Sequence, residues 1–216
     1  MELSGPTRDP AAGGPAREIV LLLHGLGADG DDLIGLAPYL AQALPHAAFA
    51  APNAPFPCDM APYGYQWFSL QDRSPAMMLA GVQAAAPLLD AYVDDLLARH
   101  GLGDDRLAFV GFSQGTMMSL HVAPRRGRAA AGVVGFSGAL LAGERLAEEV
   151  RSRPPVLLVH GDADPVVPFQ AMATAAAALD AVGVAVATER RPGVGHSIDE
   201  AGLRLATAFL QDAFAP

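Results

Sequence analysis

Lysine is absent from this 216-residue chain: all 14 basic residues are arginines, set against 23 aspartates and glutamates. The formal net charge of −9 argues against nucleic acid or an anionic membrane surface as a partner, because a polyanion is repelled by phosphate. The single basic cluster, Arg125, Arg126 and Arg128, reads as the cap of a helix end. With only one cysteine, Cys58, no intrachain disulfide and no cysteine-based metal site can form. That cysteine lies among prolines and aromatics and reads as a small apolar residue. No apolar stretch runs uninterrupted for the roughly 20 residues of a membrane span. Residues 1–16 are rich in Pro and Gly and carry Glu2, unlike the basic start and apolar run of a signal peptide. A cytoplasmic protein without stable membrane insertion is expected. Repeats and low-complexity linkers are also missing, so we expect an irregular segment over 1–16 and one domain over 17–216.

What is present is an alternation of two patterns. Short apolar runs rich in β-branched residues occupy 19–23, 47–50, 107–110, 131–136, 156–159 and 184–188. Between them, helical patterns cover 32–42, 77–100, 114–123, 143–150, 169–182 and 198–213. Continuous apolar strands separated by helices predict a mostly parallel sheet, doubly wound and covered by helices on both faces. Gly101 reads as the C-cap of the longest helix, and Pro87 inside it predicts a kink or break. Residues 52–75 form the one long irregular segment and hold Trp67 and Phe68 among five prolines. Loops of that length in a compact domain are usually functional.

Gly111-Phe112-Ser113-Gln114-Gly115 directly follows one predicted strand and opens a helix. Such a turn lifts a serine hydroxyl above the sheet edge at a helix N-terminus, where developing negative charge is favoured. A nucleophilic serine needs a base, and the base an orienting acid. His160-Gly161-Asp162-Ala163-Asp164-Pro165 follows one later strand and Gly193-Val194-Gly195-His196 follows the last. Both lie past carboxyl ends of parallel strands, where open sheets place their sites. Among the six histidines, only His196 sits in a late, glycine-framed loop. His24 and His160 each precede a glycine at a strand end and are expected to satisfy backbone groups. Asp164, followed by Pro165, is the expected partner of His196, and Asp162 a turn-former. The Gly-rich loop His24-Gly25-Leu26-Gly27 exposes amides, so Leu26 and Gln114 N–H groups are the expected oxyanion donors. It lacks the Gly-Lys-Ser/Thr ending of a phosphate loop, and Asp29, Asp31 and Asp32 read as helix-start acids rather than metal ligands.

These motifs, with Val166-Val167-Pro168 extending the aspartate loop, resemble the phospholipase/carboxylesterase family of α/β-hydrolases over nearly the whole chain from Ile19. The resemblance implies a catalytic triad of Ser113, Asp164 and His196, and an oxyanion hole at Leu26 and Gln114. It also implies a small acyl ester as substrate, no metal, no cofactor, little or no lid, and frequent homodimers. Gln66-Trp67-Phe68 resembles the bacterial carboxylesterase branch, which suggests Trp67 and Phe68 as substrate-binding residues. The family's strand before the first confident one is expected to be weak or missing. Short- to medium-chain ester hydrolysis is the expected activity. The alternatives are a thioesterase or lysophospholipase for longer chains, a dienelactone hydrolase (disfavoured because Ser113 stands where that family has Cys), or a non-catalytic relic.

Overall fold

The computed structural model describes residues 2–215. In chain order its strands are β1 Thr7–Arg8, β2 Glu18–Leu23, β3 Ala47–Ala50, β4 Phe56–Pro57, β5 Tyr65–Gln66, β6 Leu107–Phe112, β7 Gly132–Phe136, β8 Val156–Gly161 and β9 Val186–Arg191. Its helices are α1 Gly30–Leu33, α2 Ala37–Leu40, α3 Pro75–His100, α4 Gln114–Val122, α5 Leu146–Glu149, α6 Gln170–Asp180 and α7 Glu200–Phe214. Seven strands form one sheet in the order β1-β3-β2-β6-β7-β8-β9. All its pairings are parallel except β1 with β3.

Side chains alternate across each strand, so one strand feeds two cores. Ile19, Leu21 and Leu23 of β2 pack with α3, α4 and α6, whereas Val20 and Leu22 pack with α1, α2 and α7. This is the doubly wound α/β-hydrolase architecture. The N-terminal strand is present but only two residues long. Residues 2–6 are tied down beside it: Leu3 is buried, and the Pro6 and Ser4 carbonyls accept from Ala51 and Asn53 amides.

Several expected elements differ. The predicted helix over 32–42 is two single turns, α1 and α2, joined by a 3-10 turn over Ile34–Leu36. Gly35 weakens it, and Pro38 has no N–H to return to the Ile34 carbonyl. The helix expected over 143–150 likewise shrinks to a 3-10 turn and one α turn. The last strand runs 186–191, not 184–188. Gly183 takes the left-handed conformation after α6, and the Val184 amide bonds back to Leu179, which commits Val184 to the helix end. Pro87 neither breaks nor shortens α3; it and Gln83 lie on the exposed face, where the carbonyl freed by the missing N–H meets water. By length and mean hydropathy α3 could cross a bilayer, but here Val82, Leu89, Val93 and Leu96 pack into the core.

The arginine cluster is an internal brace. Arg126 ties Asp90 and Asp94 of α3 to Asp104, and Arg125 bonds Glu149 and the His121 carbonyl at the end of α4. Every residue of α4 is buried, including His121, whose Nδ1 has no partner among the described residues. Burial first, and then the nearby Arg125, push the His121 imidazole from 6.5 down to about 4, against the pull of Glu149. Above pH 6.5 the ring is neutral whether the chain is folded or not, so it has no effect on stability. Between 6.5 and 4 the unfolded chain takes up a proton that the folded one refuses. The folded state should lose up to about 3 kcal/mol across that window from this group. His121→Leu should therefore show a smaller fall in urea-unfolding free energy between pH 7 and 4 than the wild type.

Candidate active site

β6 delivers its chain to α4 through one residue, Ser113, at φ 53° and ψ −114°. A left-handed φ at a non-glycine residue costs on the order of 1–3 kcal/mol and is held only by its surroundings. Those surroundings are explicit. The Ser113 amide bonds the Phe136 carbonyl at 2.9 Å, and Thr116 Oγ1 donates to the carbonyls of Gly111 and Phe136. A Cβ at Gly111 would lie 2.5 Å from the Gly115 backbone, and one at Gly115 would lie 1.9 Å from the Leu23 carbonyl oxygen. The two glycines of the motif thus let strand, turn and helix stack in direct backbone contact. Ser113 is 8% exposed, and its hydroxyl makes no hydrogen bond among the described residues.

The loop after β2 lies against this turn: a Cβ at Gly25 would come within 3.3 Å of the Ser113 Cβ. His24 is fully buried and, as expected, serves the backbone. Its Nδ1 donates to the Gly25 carbonyl at 2.7 Å and its Nε2 accepts from the Ala54 amide at 2.9 Å. Burial lowers the pKa of this ring, in keeping with that neutral tautomer. The Leu26 and Gln114 amides find no acceptor among the described residues, the latter because it opens α4. Asp29 caps α1 by accepting from the Asp32 amide, a structural use of that acidic trio.

Past β8, the Asp164 side chain is fully buried. Its Oδ1 accepts from the Val166 and Val167 amides at 2.8 and 2.9 Å, and its Oδ2 from His196 Nδ1 at 2.8 Å. Burial works to raise its pKa, but the bonds from His196, Val167 and Val166 prevail and hold it below the usual carboxylate value. The His196 ring sits 4.8 Å from that of Phe112, the residue before Ser113, so the aspartate–histidine pair stands over the turn. Asp162 instead accepts from the Gly193 amide at 2.7 Å and from Arg190, pinning the loop that carries His196. Gly161 lets that loop approach, since a Cβ there would lie 2.2 Å from the Val194 carbonyl oxygen.

Trp67 and Phe68 do not line an open groove. Trp67 is fully buried with its indole N–H on the His24 carbonyl, and Phe68, 3% exposed, packs under Gly81 of α3. The reading of both as substrate contacts is corrected: they are internal supports. Gln114 fastens them, its side-chain oxygen accepting from the Trp67 amide and its nitrogen donating to the Phe68 carbonyl. Nothing in the sequence marked that second duty of Gln114 except its certain burial beside the turn. A mainly apolar groove of about 480 Å³ lies instead between the N-terminus of α3 (Pro75, Met78, Leu79) and Leu140–Leu141, with Arg73 and Glu144 also on its lining. Its second wall begins at Gly138, which packs on Thr116 and the Ser113 carbonyl. Leu140 and Leu141 carry no motif, and the sequence alone does not single them out.

A parallel sheet crossed by helices on both faces, with a strained serine between strand and helix, defines an α/β-hydrolase. Residues 10–213 match the model of the Phospholipase/Carboxylesterase family, and the chain belongs to it. Esterase YpfH of Escherichia coli is 28% identical over 197 residues, covering 91% of this chain and 83% of that protein. Acyl-protein thioesterase 1 of Neurospora crassa is 29% identical over 198 residues, covering 82% of this chain and 79% of its own length. The crystal structure of esterase PE8 has a TM-score of 0.95 to this chain at 42% identity, covering 99% of this chain and all of that one. This protein is a hydrolase acting on esters.

Proposed function

We propose that the chain is a serine carboxylesterase for short- to medium-chain acyl esters. The observation that carries this reading is the part-buried Asp164–His196 bond, its imidazole packed on Phe112 next to the strained Ser113 turn. Asp164 holds the Nδ1–H tautomer of His196, leaving Nε2 free to accept the Ser113 proton as Oγ attacks the acyl carbonyl. Negative charge developing on the carbonyl oxygen is met by the Leu26 and Gln114 amides. The tetrahedral intermediate collapses, the alcohol leaves with the proton from His196, and water repeats the sequence on the acyl-enzyme. Asp164 stays ionised throughout, because its hydrogen bonds hold its pKa low.

The groove supports the chain-length assignment. Each acyl methylene buried there adds up to about 0.8 kcal/mol, or about fourfold in kcat/KM, until the space is filled. Among p-nitrophenyl acetate, butyrate, octanoate and palmitate, kcat/KM should climb to butyrate or octanoate and fall at palmitate. The same series run on matched thioesters separates this reading from that of a thioesterase. The relative named as an acyl-protein thioesterase keeps a second reading in play: a steady rise to palmitate with thioesters preferred would replace our assignment with that one.

A further inference from the structure

His160 ends β8 with a ring that is 2% exposed, and its Nε2 lies 3.0 Å from the Val167 carbonyl oxygen and 3.3 Å from Asp164 Oδ2. The Val167 carbonyl is an acceptor, so Nε2 carries the proton and donates it there, while the Asp164 carboxylate lies alongside without a hydrogen bond to the ring. Its main bond is to Val167; the carboxylate oxygen it approaches at the longer distance is the one that receives His196. Val167 in turn donates its own amide to Asp164 Oδ1, so ring, turn and carboxylate form a closed loop. Phe169 meets the His160 ring edge-on at 87°, which fixes its plane. The carboxylate therefore accepts from Val166, Val167 and His196, and the His160 ring lies against it while bonding the Val167 carbonyl.

From this geometry we infer that His160 is a positioning residue for the reaction, setting the rotation of the Asp164 carboxylate and the 164–167 turn. It touches no substrate and acts through Asp164 alone. Without its N–H, the Val167 carbonyl loses a buried donor, the turn that presents the Val166 and Val167 amides loosens, and the carboxylate is free to turn its oxygen off the line to His196. The inference rests on the roles proposed above for Asp164 and His196.

The test is a double-mutant cycle on p-nitrophenyl butyrate hydrolysis, with folding checked by circular dichroism and thermal midpoint. His160→Phe should lower kcat about tenfold, as expected when a buried carbonyl is left without its donor, with KM changed less than about twofold. His160→Gln places a carboxamide N–H where Nε2 stood and should recover activity to within about threefold of wild type. In an Asp164→Asn background, His160→Phe should cost less than about twofold, because its effect passes through the missing carboxylate. Should the Phe variant not fold, His160→Asn, too short to reach Val167, takes its place in the cycle. Equal losses in both backgrounds, or no rescue by Gln, would overturn the role of His160. Full activity of Asp164→Asn alone would instead overturn the underlying assignment of Asp164, so the two failures are distinguishable.

Discussion

Ser113→Ala should reduce kcat for p-nitrophenyl butyrate by on the order of 10⁶, to a residue of catalysis from the oxyanion donors alone. The substitution is clean because alanine keeps the Cβ, so the left-handed backbone at φ 53° and its bond to the Phe136 carbonyl are unchanged. Thermal stability should move little, since the Ser113 hydroxyl has no partner to lose among the described residues. The same experiment has a chemical counterpart. A fluorophosphonate should label the wild type once, on the peptide containing Ser113, and leave the alanine variant unmarked. A folded variant that keeps even a few per cent of the rate would place the nucleophile elsewhere.

Asp164→Asn should cost about 10⁴ in kcat, through the tautomer of His196 rather than through loss of folding. The Val166 and Val167 amides both donate to Oδ1, so they will hold the carboxamide oxygen of an asparagine in that place. Its NH₂ group then faces His196 Nδ1, which must become an acceptor, and the proton moves to Nε2. An Nε2–H imidazole cannot take a proton from serine. Asp162→Asn is the control, because that side chain meets only the Gly193 amide and Arg190 and should cost less than about tenfold. If the two variants exchanged their effects, the acid would be Asp162 and the reading of the loop would be wrong.

The turn at Ser113 was legible because its glycines encode a local steric requirement: at Gly111 and Gly115 backbone atoms approach too closely for any Cβ. The parallel sheet was legible because buried strands carry continuous apolar runs, as Ile19–Leu23 of β2, Gly132–Phe136 of β7 and Val156–Val159 of β8 do. Chain order and the Pro165 stop pointed to Asp164, and the structure brings that residue to His196. What could not be read depended on contacts far apart in sequence. Trp67 was assigned to the pocket from the resemblance of Gln66-Trp67-Phe68 to the bacterial carboxylesterase branch; its burial follows from Gln114 and His24, 47 and 43 residues away. The expected helix over 32–42 had the right periodicity, but the positions of Gly35 and Pro38 outweighed it. His160 was seen to serve a backbone carbonyl, and does, yet its approach to Asp164 depends on the turn closing back over β8.

The absence of any side chain at Gly115 reaches beyond the turn itself. With that residue seated on the Leu23 carbonyl, the strand that bears the nucleophile and the loop that bears the Leu26 amide share one backbone-to-backbone joint. If Leu26 and Gln114 supply the donor amides, as proposed, their spacing is then set by the backbone packing itself. In the mechanism proposed above, such a joint would hold the dipoles ready for the charge that develops on the carbonyl oxygen.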